Sequence, residues 1–204
     1  MTLAFAVLGD SIAYGLGASN TADTVAARLA TDLTDSGTPT ETRVFAVSGA
    51  DSRGLAVQVQ RAIAWTPNLA LIIIGANDLT HFVPPNQAAA LLGDAVRKLR
   101  AHDVEVVVAP APDLSVVPWC PPQMRMTVQA ASHLLRQEQA RAATAAGARI
   151  ADISATSATA FATDQALFSA DRFHPSSAGY AVIAAALAPE VRAAAAAARA
   201  NISR

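Results

Sequence analysis

What most constrains this chain is a set of five short, mostly continuous apolar runs: residues 3–8, 44–47, 69–74, 104–109 and 149–153. Several are rich in Val and Ile, which suit a pleated, buried surface. Runs that do not alternate with polar residues read as strands buried on both faces, as in a parallel sheet. Helix-like segments lie between and after them, at about 21–35, 53–64, 86–101, 123–146 and 176–198. Breakers separate the units: Ser36-Gly37-Thr38-Pro39, Thr66-Pro67-Asn68 and Gly147.

Strict alternation of strand and helix predicts an α/β fold of three layers, α/β/α, with right-handed crossovers. The expected sheet is doubly wound and flavodoxin-like, with five parallel strands in the order 2-1-3-4-5. The chain has 204 residues, enough for one domain over 1–204 with a sizeable core. It is 52% hydrophobic and 15% charged, a globular balance. The net charge is -1 with no long basic run, which argues against nucleic acid or an anionic membrane as partner. The single cysteine, Cys120, excludes an intrachain disulfide. The apolar runs are shorter than the roughly 18–20 residues of a membrane span, so none is expected. The first residues carry no basic segment and no small-residue cleavage site. A cytoplasmic location is therefore expected for the chain as it stands, although a removed leader leaves no trace. Alanine-rich 193–198 reads as the end of the last helix, with 201–204 frayed. Residues 111–122 hold four prolines and predict a long loop after the fourth strand.

In open α/β sheets, ligands bind beyond the carboxyl ends of the strands. Four short signals fall at that edge: Gly9-Asp10-Ser11, Gly49, Gly75-Ala76-Asn77-Asp78, and Asp171-Arg172-Phe173-His174. Ser11 follows strand one and supplies a candidate nucleophile; a serine is weak alone and needs a base. Read singly, it is equally a turn serine, with Asp10 bracing the turn. Gly49 offers a backbone N–H where backbone must approach a substrate, or is a simple turn. Asn77 offers a side-chain donor, or caps a turn. Asp171 and His174 stand three apart before the last helix. That spacing lets a turn place the carboxylate on Nδ1 and aim Nε2 at Ser11. Read alone, they are an exposed acid and a surface histidine. Pro175 biases His174 away from helix. Together the four supply a nucleophile, an acid–base pair and three oxyanion donors: the N–H groups of Ser11 and Gly49 and the Asn77 amide.

Other candidates carry less. Gly15-Leu16-Gly17 hints at a dinucleotide loop, but Asn20 stands where the third glycine belongs. Cys120 has no histidine near it in sequence and reads as inert packing. His81 lies near the crevice, while His102 and His133 read as surface residues. No cluster has metal-ligand spacing, so neither metal nor cofactor is expected. Trp119, Val116 and Val117 line an acyl pocket or cover the core.

The four blocks resemble those of the SGNH (GDSL-type) hydrolases, a family named for a Ser, Gly, Asn and His. Here these fall on Ser11, Gly49, Asn77 and His174. The resemblance spans residues 9–174 and implies an esterase, lipase, thioesterase, deacetylase or acyltransferase. The expectation is a serine hydrolase acting on a small-molecule ester through an acyl-enzyme on Ser11, with catalytic Ser11, Asp171 and His174. An acyltransferase using a sugar or other alcohol is the first alternative, and a non-catalytic flavodoxin-like binding module the second. No Gly-x-Ser-x-Gly elbow is present.

Overall fold

The computed structural model describes residues 2–202. Five strands, β1 (Leu3–Gly9), β2 (Thr40–Val44), β3 (Leu69–Ile73), β4 (Glu105–Ala109) and β5 (Arg149–Ile150), run parallel in the order β2-β1-β3-β4-β5. This is the predicted topology. The helices among the described residues are α1 (Ser11–Tyr14), α2 (Val25–Asp35), α3 (Leu55–Ala64), α4 (Ala76–Thr80), α5 (Pro85–Arg100), α6 (Arg125–Ala145), α7 (Ile153–Thr163) and α8 (Ser177–Ile202).

Successive strand residues point to opposite faces, and β1 serves two cores. Phe5 and Val7 pack with Leu29 and Leu33 of α2 and with Tyr180, Ile183 and Leu187 of α8. Ala6 and Leu8 pack with Leu55 and Val59 of α3 and with Leu92 and Val96 of α5. Burying a large aliphatic or aromatic side chain stabilises by roughly 1.5–3 kcal/mol, so both layers are held firmly. Register brings the carboxyl ends level: Gly9 pairs with Ile73, and Ile73 with Ala109.

Three elements differ from expectation. The second strand is the polar Thr40–Val44, not the apolar 44–47. It is an edge strand that pairs, among the described residues, with β1 alone, and its residues are exposed or half-buried. Residues 45–47 still follow β1, with N–H donations from Phe45 and Ala46 to Val7 O and from Val47 to Gly9 O, outside the regular ladder. The second difference is α7. No helix-like segment was expected between 153 and 176, yet residues 153–163 are helical. The apolar residues Ile153 and Phe161 pack against the core shared with α8, and the Ser157 hydroxyl donates back to Ile153 O at 2.7 Å. Third, α8 runs on through Asn201 and Ile202, which were expected to fray; positions 203 and 204 lie outside the described residues. By length and composition α8 is apolar enough to cross a membrane, although Glu190 and Arg192 break its apolar run. In this fold its face from Tyr180 to Ala198 is core.

Candidate active site

β1 ends at Gly9, and the chain turns at once into α1. The turn depends on glycine: φ is +131°, and a Cβ would stand 1.8 Å from the Ile73 carbonyl oxygen. Gln58, buried on α3, grips both backbone groups of Gly9. The Gly9 N–H donates to Gln58 Oε1 at 2.7 Å, and Gln58 Nε2 donates to Gly9 O at 2.9 Å. Asp10 caps α1, its Oδ1 accepting from the Ile12 N–H at 2.9 Å. Burial pushes the Asp10 carboxyl up to about 7, against the pull of that N–H and with help from nearby Asp78. Asp10 is a brace for the turn. Ser11 follows it, 4% exposed.

The partner turn is built around one carboxylate. Asp171 Oδ1 accepts from Ser169 Oγ at 2.8 Å and from the N–H groups of Phe173 and His174 at 2.9 Å each. Asp171 Oδ2 lies 2.6 Å from His174 Nδ1, and His174 Nε2 lies 3.0 Å from Ser11 Oγ. The last contact joins residues 163 positions apart. Partial burial raises the Asp171 carboxyl, but the hydrogen bonds from the His174 ring, the two N–H groups and Ser169 outweigh it. They hold Asp171 well below the ordinary carboxylate range.

Gly15-Leu16-Gly17 has a part here unrelated to any dinucleotide. A Cβ on Gly17 would meet Pro175 O at 2.5 Å and His174 Cβ at 3.1 Å, so glycine lets the histidine turn dock against α1. The fully buried Tyr180 donates its hydroxyl to Leu16 O at 2.8 Å, which ties α8 to the same segment. Pro175 bridges to Phe168, and α8 begins two residues later.

On the other side of Ser11, two cross-links join the turn after β2 to α4. Asn77 Nδ2 donates to Ala50 O at 2.9 Å. Asp78, fully buried, accepts from the Ser52 N–H at 3.1 Å and from Ser52 Oγ at 2.9 Å. Gly49 thus sits on a turn anchored through its neighbour to Asn77. Asp51 pairs with Arg53 and with His81 Nδ1 at 3.0 Å. The Arg53 guanidinium, despite partial burial and aided by His81, holds Asp51 well below its ordinary value. His81 is engaged there rather than at Ser11, and His102 and His133 are exposed.

Residues 111–122 form the expected loop, with tight turns at Leu114–Val116 and from Val117 to Cys120. Buried Gln139 of α6 anchors it by accepting from the Ala111 N–H at 2.8 Å. An apolar cavity of about 70 Å³ lies between this loop, α7 and α8, with Ser11 and His174 in its wall. Val116 and Val117 line it as well. Trp119 does not; it is 55% exposed and packs on Phe173, ring centroids 5.2 Å apart, while Phe173 stands edge-on to His174 at 4.9 Å. Cys120 is buried, with its Sγ against Pro121 O at 3.9 Å.

The fold therefore brings Ser11, His174 and Asp171 into one hydrogen-bonded line. Gln58 was not singled out from the sequence, yet a signal existed. It shares the apolar stripe of α3 with Leu55, Val59 and Ala62, and a polar side chain in such a stripe needs a partner. Tyr180 and Gly17 had no such signal.

The flavodoxin-like sheet thus carries serine, histidine and carboxylate together at its carboxyl edge. Residues 7–182 match the model of the GDSL-like lipase/acylhydrolase family, and the chain belongs to that family. It is 34% identical over 182 residues to the GDSL-like esterase Rv1075c of Mycobacterium tuberculosis. That match covers 87% of this chain but only 58% of the relative's length. Among solved structures, TesA superposes with a TM-score of 0.78 at 23% identity, covering 94% of this chain and 99% of that one. A catalytic variant of the acetylxylan esterase Axe2 from Geobacillus stearothermophilus gives 0.72 at 19% identity, covering 94% and 95%. These two likenesses are likenesses of fold.

Proposed function

We propose that this chain is a serine esterase that cleaves small carboxylic esters through an acyl-enzyme on Ser11. The observation that carries the reading is the line Ser11 Oγ, His174 Nε2, His174 Nδ1, Asp171 Oδ2, with gaps of 3.0 and 2.6 Å. Ser11 Oγ attacks the ester carbonyl as His174 Nε2 takes its proton. The tetrahedral intermediate collapses, the ester C–O bond breaks, and His174 returns the proton to the leaving alcohol. Water repeats these steps on the acyl-enzyme and releases the acid. Asp171 fixes the ring's tautomer and stabilises the imidazolium. Membership of an acylhydrolase family supports the reaction class, and the similar mycobacterial protein is named an esterase. A fluorophosphonate should label Ser11, read as a mass increase on the peptide that contains it, and should fail to label Ser11→Ala. A label on any other residue, with Ser11 untouched, overturns the proposal.

The developing oxyanion is received by three donors in this reading. Ser11 opens α1, so its N–H has no carbonyl within the helix. Gly49 contributes its backbone N–H. Asn77 commits one amide hydrogen to Ala50 O and keeps the second. Asn77→Ala should lower kcat by about 10²–10³, with a smaller change in KM, because the donor matters most once the carbonyl oxygen is an anion. A raised KM with kcat intact assigns Asn77 to substrate binding instead.

A further inference from the structure

The apolar cavity beside Ser11 and a groove on the protein surface share a wall. The cavity holds about 70 Å³. The groove holds about 270 Å³ and is lined by Pro118, Arg125 and Met126, among others. Phe161 and Val116 line both. Phe161 projects from α7, and its ring is set edge-on against Phe168, with centroids 5.2 Å apart and planes at 75°. Phe168 also lines the cavity. An edge-to-face pair of this kind favours one ring orientation, so the partition is a packed element rather than a loose side chain.

We propose that the cavity receives the acyl group of the ester and that Phe161 is the residue that limits its length; this rests on the serine-esterase reading above. The chamber is apolar and adjoins the attacking oxygen, so an acyl chain entering it leaves water while its carbonyl carbon stays at Ser11. An apolar cavity of about 150 Å³ takes one benzene, so one of about 70 Å³ takes roughly the three-carbon tail of a butyryl group. A longer chain meets the Phe161 ring. Beyond that ring lies the groove, where Met126 stands among Arg125, Gln129 and Gln165. Removing the ring joins the two spaces and lengthens the apolar path away from Ser11. The substrate class that follows is short-chain acyl esters.

The test is kcat/KM on p-nitrophenyl acetate, butyrate and octanoate for wild type and two variants. Wild type should disfavour octanoate relative to butyrate by about tenfold or more, the scale at which apolar pockets resolve chain length. Phe161→Ala should raise the octanoate-to-butyrate ratio by about tenfold or more. Ala158→Leu acts in the opposite sense. Ala158 lines the same chamber, so the larger side chain should fill it and lower the butyrate-to-acetate ratio; this arm holds even if Phe161→Ala fails to fold. Wild type accepting octanoate as readily as butyrate, or ratios unmoved in the folded variants, overturns the proposal. Fluorophosphonate labelling separates the two levels. Labelled Ser11 with unmoved ratios removes only the wall, whereas unlabelled Ser11 in wild type removes the esterase reading and the wall with it.

Discussion

Replacing both Ser11 and His174 with alanine is expected to cost no more activity than replacing either one. Each single change should lower kcat by about 10⁶, leaving a residue of about 10³–10⁴ over water from the oxyanion donors and substrate binding. The reason is the hydrogen bond between them. His174 Nε2 stands 3.0 Å from Ser11 Oγ, and in the proposed acylation step the two act only together. Without the hydroxyl there is nothing for the ring to deprotonate; without the ring the hydroxyl remains a weak nucleophile. Both changes should leave the fold intact. Ser11 contributes only its hydroxyl beyond the Cβ that alanine keeps, and the turn beneath it is held by Gly9, Gln58 and Asp10. Steady-state rates on p-nitrophenyl acetate, with a thermal melt of each variant, decide the matter. Losses that multiply in the double variant mean that the two residues do not share one mechanism.

How much of this was legible in the sequence follows from burial. β3 lies in mid-sheet with every residue buried, so its sequence is an unbroken apolar run and its bounds were nearly right. β2 lies at the edge, where Thr and Glu are tolerated, and the visible apolar run beside it, 44–47, is not the ladder. α7 was missed because its Ser and Thr offset its alanines and its apolar residues form no clear stripe; what makes it a helix is the core supplied by elements distant in sequence. The candidate site was legible for a different reason. A nucleophile at the end of strand one and an Asp–His pair before the last helix need only the strand order to meet, and the alternation of elements predicts that order. The supports were harder to read. Gln58 showed a local conflict, a polar side chain in an apolar stripe. Gly17 and Tyr180 matter only through contacts with residues about 160 positions away. The Phe161 partition depends on how α7 sits beside the proline-rich loop, and no spacing in the chain encodes it.

Asp171→Asn should lower kcat by about 10⁴ while leaving the turn in place. The carboxylate has two distinct duties. Its Oδ1 gathers the N–H groups of Phe173 and His174, and its Oδ2 faces His174 Nδ1. Asparagine keeps one acceptor oxygen, which the two backbone donors claim. Its amide nitrogen is then left facing Nδ1 and donates to it. That forces the imidazole into the tautomer with its hydrogen on Nε2, where it can no longer accept the Ser11 proton. Fold and nucleophile survive while the base is misassigned. Asp171→Ala should also be impaired, but it loses the turn hydrogen bonds as well, so a lower melting temperature should accompany its loss of rate. Because Asp171 is held well below the ordinary carboxylate range, it stays ionised across the neutral range, so its own titration does not shape kcat/KM there. Fluorophosphonate labelling of Ser11 should persist in Asp171→Asn but at a reduced rate. Undiminished turnover in Asp171→Asn places the acid partner of His174 elsewhere. Labelling of Ser11 at the wild-type rate in Asp171→Asn makes Asp171 a support for the turn and no part of the activation of Ser11.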